Sequence, residues 1–151
     1  MKLSIATALA HKPKLLILDE ATSGLDPVMR DEILDILLGF IQEEDHTVFF
    51  SSHITSDLEQ IADYITFIHN GEIVFTRSKD ELLEQFGVLK CSESDFEKLD
   101  KSGMLRYRTT EHGCEALVED LDAARRNYPD QVIDKITLDE IMLLYIKGEK
   151  V

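Results

Sequence analysis

An α/β fold is predicted by three features of the sequence. Two short β-prone runs, Leu15–Leu18 and residues 47–52, each end in polar residues, and an amphipathic helical pattern from residue 27 to 42 joins them. Strand, helix, strand with a crossover of that length implies parallel neighbours connected right-handedly. The third feature is Asn70-Gly71 between the apolar runs Tyr64–His69 and 72–75. That dipeptide is a two-residue hairpin turn, and it places an antiparallel pair at the edge of the sheet.

Taken in order, residues 3–11 are alanine-rich and read as a helix already in progress, with Met1 an internal methionine of a longer chain. Pro13 ends that helix. Leu15-Leu16-Ile17-Leu18 is continuously apolar, the pattern of a strand buried on both faces of a parallel sheet. Asp26 and Pro27 pair an N-cap with proline at the first helical position. Ile33, Leu34, Leu37, Leu38 and Ile41 then line one face of a helix of about four turns. Ser56-Asp57-Leu58-Glu59 and residues 78–81 each have the spacing of a capping box, opening two further helices, the second running to about Phe86.

Beyond residues 87–92 the elements become shorter and more mixed, so the chain divides into residues 1–88 and a small α+β extension, residues 89–151. Residues 105–110 and 114–118 pair around Glu111-His112-Gly113, 121–127 are helical until Pro129, and 132–136 form a strand. Thr137-Leu138-Asp139-Glu140 is a capping box that starts a last helix, which ends near Gly148.

Composition excludes several classes. The formal charge of −14 is spread as −5, −7 and −2 over residues 1–50, 51–100 and 101–151, so no basic stripe exists to meet nucleic-acid phosphates. Cys91 and Cys114 have no close spacing or histidine-rich surroundings and read as ordinary thiols in a reducing cytoplasm. No apolar run approaches the roughly 20 residues that cross a bilayer, so any membrane connection runs through a partner. His11, His46, His69 and His112 show no ligand spacing. Arg106, Arg108, Arg125 and Arg126 are expected to pair with neighbouring carboxylates.

Ligands in open α/β sheets bind beyond the carboxyl ends of the strands, which is where Asp19, Glu20 and His53 fall. An aspartate there can reach a Mg²⁺ held on nucleotide phosphates, an adjacent carboxylate can orient or deprotonate a water, and a histidine can donate to a phosphate as charge develops. Acidic residues after a buried strand are also common at ordinary loops. The intervening string decides the matter: Asp19-Glu20-Ala21-Thr22-Ser23-Gly24-Leu25-Asp26-Pro27 closely resembles the Walker B and D-loop segment of ABC ATPases. Thr47-Val48-Phe49-Phe50-Ser51-Ser52-His53 resembles their H-loop. The hairpin with Glu72-Ile73-Val74, and the terminal Thr137-Leu138-Asp139-Glu140-Ile141-Met142, are similar to the branch serving ABC-2-type exporters.

The resemblance implies a partial P-loop NTPase core over residues 1–88. It makes Asp19 the Mg²⁺ aspartate, acting through water, and Glu20 the catalytic base. Ser23, Gly24, Leu25 and Asp26 become the nucleotide-side loop that communicates across a dimer, and His53 the γ-phosphate sensor. Ala21 stands where the family often has proline. The larger departure is that no G-x-x-x-x-G-K-[ST] loop, glutamine loop or Leu-Ser-Gly-Gly-type signature occurs in this sequence.

The expectation is therefore a C-terminal portion of an ATP-binding subunit, with ATP and Mg²⁺ used in the complete protein and neither held tightly by this chain alone. Its partners are a membrane-spanning subunit and further copies of itself, with elements exchanged between protomers. Its place is the cytoplasmic face of the membrane. The rival readings are a non-catalytic interaction module, an ABC-type ATPase of DNA repair, and a phosphoacceptor receiver domain. No coiled-coil heptads favour the second, and the third wants a lysine after a later strand.

Overall fold

The structure is a computed structural model that describes residues 2–151; Met1, and with it the reading of that residue as internal, lies outside the described residues. The chain forms two compact units, Met1–Ala62 and Asp63–Val151.

The first unit contains α1 (Lys2–Ala10), β1 (Leu15–Leu18), α2 (Pro27–Phe40), β2 (Thr47–Phe50) and α3 (Thr55–Ile61). As the strand–helix–strand pattern predicts, β1 and β2 are parallel neighbours, with Leu15 opposite Thr47 and Leu18 opposite Phe50. Asp26 caps α2 by accepting from the Met29 amide at 3.0 Å, and Pro27 opens the helix with no amide hydrogen to leave unsatisfied. Ile33, Leu34 and Leu37 of α2 pack with Ile5, Leu16 and Ile61 into one apolar cluster. Each such side chain contributes about 1.5–3 kcal/mol by leaving water.

β1 is not buried on both faces. Leu16 is buried, but Leu15 is 54% and Ile17 68% exposed, and Phe49 of β2 is 66% exposed. Pleating sends alternate side chains to opposite faces, so one face of this pair is packed by the unit's helices and the other carries three bare apolar side chains. The helix after β2 also differs from expectation. α3 begins at Thr55 with Ile54 as N-cap and no side-chain cap, because Ser52 holds the preceding turn through the Ile54 amide at 3.0 Å. Ser56 therefore sits inside the helix.

The second unit contains β3 (Tyr64–His69), β4 (Glu72–Ser78), α4 (Lys79–Glu84), β5 (Gly87–Cys91), α5 (Glu93–Phe96), β6 (Met104–Thr110), β7 (Gly113–Val118), α6 (Leu121–Asn127), β8 (Val132–Lys135), α7 (Leu138–Lys147) and β9 (Glu149–Lys150). The Asn70-Gly71 hairpin forms, both turn residues at positive φ, but as a two-stranded sheet of its own rather than as an edge strand added to β1 and β2. The other five strands make an antiparallel sheet in the order β8-β5-β7-β6-β9.

That sheet explains why the compact units part at Ala62 and not at the change of texture near residue 88. β5 is a central strand, paired with β7 on one side and β8 on the other, so a cut there would expose two hydrogen-bonded edges. Leu89, Cys114, Ala116 and Val118 project into an apolar cluster with Phe96 of α5 and Leu121 and Ala124 of α6. Val88 and Leu117, of opposite pleat parity, are equally buried, so residues 116–118 are apolar without alternation. The Thr137 capping box is complete: its side chain accepts from the Glu140 amide while Glu140 reaches back to Thr137. At α4 half of the expected box forms, Ser78 accepting from the Glu81 amide at 3.2 Å, because the Glu81 carboxylate is engaged by Arg77.

The arginines behave variously. Arg108 pairs with Glu115 at 2.5 Å as expected, whereas Arg106 lies over the Tyr145 ring and points to the Tyr145 and Gly148 carbonyls.

Candidate functional site

β1 and β2 end side by side, and their ladder runs on past the strand ends: the Ser51 amide donates to Leu18 O at 3.0 Å and the Glu20 amide to Ser51 O at 3.2 Å. This continuation carries Asp19 and Glu20 to the rim occupied by residues 51–53. Ser51 links the two carboxylate residues. Its hydroxyl donates to Asp19 Oδ1 at 2.6 Å and lies 3.0 Å from the Glu20 amide, which donates to it. His53 Nδ1 donates to Glu20 Oε2 at 2.7 Å, leaving Nε2 for a second contact.

Glu20 has φ +49°, in the left-handed region that non-glycine residues seldom adopt. Such a conformation persists only where surroundings over-determine it, and here the Ser51 contacts, the His53 pair and the Ser23 amide on Glu20 O at 3.1 Å hold it. The twist takes the chain sharply away from β1 and leaves the Glu20 carboxylate beside His53. Both side chains reach solvent, His53 being 67% and Glu20 39% exposed.

Ala21 and Thr22 then turn inward and are buried, and the Thr22 hydroxyl has no hydrogen-bond partner. A small residue suits position 21, which explains how alanine is accommodated. The Leu25 amide closes a turn onto Thr22 O at 3.3 Å, with Gly24 at φ +72°. No atom lies within 4 Å of where a Gly24 side chain would project, so its glycine serves backbone conformation alone. Asp26 faces α2 as its N-cap, so its Oδ1 is engaged by Met29 rather than presented to the Asp19 rim.

Of the residues singled out in the sequence, Asp19, Glu20 and His53 are thus brought together. Ser23, Gly24, Leu25 and Asp26 form the adjoining turn and helix start. Ser51 joins Asp19 and Glu20 without any signal in the sequence, since a serine at a strand end carries no pattern of its own. For a cation the rim offers one group. Asp19 has one oxygen taken by Ser51, and among the described residues no cluster of three or more His, Cys, Asp or Glu is arranged to hold a metal. The residues fit Mg²⁺ as a single ligand at the margin of a site whose other ligands come from phosphate or water.

No family model matches the chain. The lantibiotic transport ATP-binding protein SrtF of Streptococcus pyogenes is 46% identical over 79 residues, covering 52% of this chain and 34% of SrtF. The bacitracin transport ATP-binding protein BcrA of Enterococcus faecalis is 48% identical over 73 residues, covering 48% of this chain and 24% of BcrA. Among solved structures, a metal-chelate-type ABC transporter in an inward-facing conformation aligns with TM-score 0.48 and 22% identity, covering 76% of this chain and 43% of that one. The chain spans about a third of the length of SrtF and a quarter of BcrA. Over about half its length, the chain is homologous to the ATP-binding proteins of ABC transporters.

Proposed function

We propose that this chain carries the water-activating rim of an ABC transporter ATPase site, and that hydrolysis takes place when a phosphate-binding loop is brought to that rim. The observation that carries the reading is the Ser51–Asp19–Glu20–His53 network at the ends of two parallel strands. Hydrolysis forms a bond from the water oxygen to the terminal phosphorus and breaks the bridging P–O bond, and the water's proton passes to Glu20. Mg²⁺, when bound, offsets phosphate charge, and Asp19 is the residue that would hold it. Ser51 fixes Asp19 and the Glu20 backbone, so the two carboxylates keep separate tasks. His53 orients Glu20 through Nδ1 and, when its ring carries a proton on both nitrogens, donates from Nε2 to a phosphate oxygen.

Two carboxylates on an exposed rim repel a polyphosphate unless cations and amide donors offset them, and this sequence has no glycine-rich loop ending in Gly-Lys. Calorimetry with Mg-ATP is expected to detect no tight binding by the 151-residue chain, and binding by a version extended upstream with the corresponding part of a homologue. Tight binding by the chain alone would overturn this reading and require a phosphate site elsewhere.

In the complete protein we place hydrolysis in the service of export, through a membrane-spanning partner at the cytoplasmic face. Residues 1–88 would be the part of the chain that descends from the ATPase core. No helix among the described residues is long and apolar enough to cross a membrane.

A second reading is that of a non-catalytic interaction module, and the bare face of Leu15, Ile17 and Phe49 favours it. Parallel sheets occur almost always with both faces covered. Alone in solution, the chain is expected to cover that face with another copy, by packing or by exchange of an element. Sedimentation velocity should show the weight-average mass rising across micromolar concentrations, and Phe49→Glu should return it to monomer. A monomeric wild-type profile throughout that range would rule the association out.

A further inference from the structure

Cys91 and Cys114 stand 23 positions apart, yet the fold makes them direct cross-strand partners in the β5–β7 ladder. Directly opposed residues of an antiparallel pair project to the same face, with Cα atoms about 4.5–5.5 Å apart. A disulfide spans Cα separations of about 4.4–6.8 Å. Both residues are free thiols against the same apolar cluster, Cys114 within it at 3% exposure and Cys91 partly buried at its margin.

We propose that these residues form a reversible intrachain disulfide, which makes the C-terminal unit a redox-responsive element. The pair lies at the end of its ladder, Cys91 being the last residue of β5. The side chains can there close on each other by a small movement of a strand terminus rather than of the sheet's centre. The thiols are also unequal: Cys91 is the one solvent reaches, and Cys114 is shielded. The order of events follows from that asymmetry.

The Cys91 thiolate attacks one sulfur of a low-molecular-weight disulfide, breaking its S–S bond, forming a mixed disulfide and releasing one small thiolate. The Cys114 thiolate then attacks the Cys91 sulfur, closing the intrachain bond and releasing the second small thiolate. Two protein thiols are oxidised, the small disulfide is reduced to two thiols, and the two protons go to the released thiolates or to solvent. Burial holds the Cys91 thiol above its ordinary pKa, with Cys114 and Asp95 acting in the same direction. Little thiolate is therefore present near neutrality, and the pair answers to sustained oxidation rather than to a brief pulse.

The test treats the intact chain with oxidised glutathione under native conditions, quenches with acid, alkylates the remaining thiols and weighs the protein. The expected product is an unalkylated monomer lighter by two hydrogens, reversed by dithiothreitol, with its thermal midpoint raised by about 10 °C. Cys114→Ser should stop at a stable glutathione adduct on Cys91. Cys91→Ser should leave Cys114 unmodified until the chain is unfolded. The proposal is overturned if the wild-type chain retains the glutathione adduct without closing, if the bond forms between chains, or if neither thiol reacts before denaturant is added.

Discussion

Glu20→Gln, in a version of the chain extended upstream through a phosphate-binding loop, is expected to lower ATP turnover by about 10²–10⁴-fold while Mg-ATP binding survives. Glutamine preserves the size of the side chain and can still accept a hydrogen bond from His53 Nδ1, whose partner is now 2.7 Å away. It cannot accept the proton of an attacking water. The backbone at position 20 is held at φ +49° by its amide and carbonyl bonds to Ser51 and Ser23, contacts that the substitution leaves intact. Binding and turnover should therefore separate. Ser51→Ala distinguishes position from chemistry, because it removes the hydroxyl shared by Asp19 and the Glu20 amide and leaves both carboxylates present. A loss of about tenfold is expected there, the scale on which removing the two hydrogen bonds of a positioning hydroxyl acts. Single-turnover rates measured beside calorimetric affinities check both. If Glu20→Gln turns over within a few-fold of the parent, Glu20 is not the base.

How much of this site can be read without coordinates depends on whether the determining contacts are local. Asp26-Pro27 and Thr137 to Glu140 signal their helix starts within a few residues, and both caps form. Strand, helix, strand between residues 15 and 50 likewise carries its own hydrophobic period, and it brings Asp19, Glu20 and His53 to one rim. β5 has no such signal. Gly87-Val88-Leu89-Lys90-Cys91 is a strand because β7 and β8 supply partners from 23 or more positions away. For the same reason Cys91 and Cys114 are neighbours in space although nothing in their spacing suggests it. Ser51 is not legible in the sequence because its importance lies in two hydrogen bonds to residues more than 30 positions earlier. The Ser56 capping box does not form for the converse reason: a local signal is overridden by Ser52, which ties down the Ile54 amide and starts the helix two residues early.

Gly113→Ala should lower stability by about 2–4 kcal/mol, a substantial fraction of the roughly 5–15 kcal/mol that holds a domain folded. Two independent costs meet at this position. Gly113 has φ +122°, where an L side chain is strained, and a methyl group built on it runs into the carbonyl oxygen of Cys91 on the neighbouring strand. That oxygen belongs to backbone in the middle of the chain and cannot swing aside as a flexible side chain would. The two costs can be separated within the same unit. Gly71 also has positive φ, +80°, but nothing lies within 4 Å of its added Cβ, so Gly71→Ala reports the conformational cost alone, about 1 kcal/mol. At Gly103 an added methyl meets only the Tyr128 hydroxyl at 3.6 Å, and Gly103→Ala should change stability by less than about 0.5 kcal/mol. Urea unfolding of the three variants gives the order Gly113, Gly71, Gly103 from most to least damaging. Equal losses at Gly113 and Gly71 would mean that the close approach of β7 to Cys91 is not present in solution. The register that sets Cys91 opposite Cys114 would then be in error as well, so this one comparison tests the geometry on which the redox pair depends.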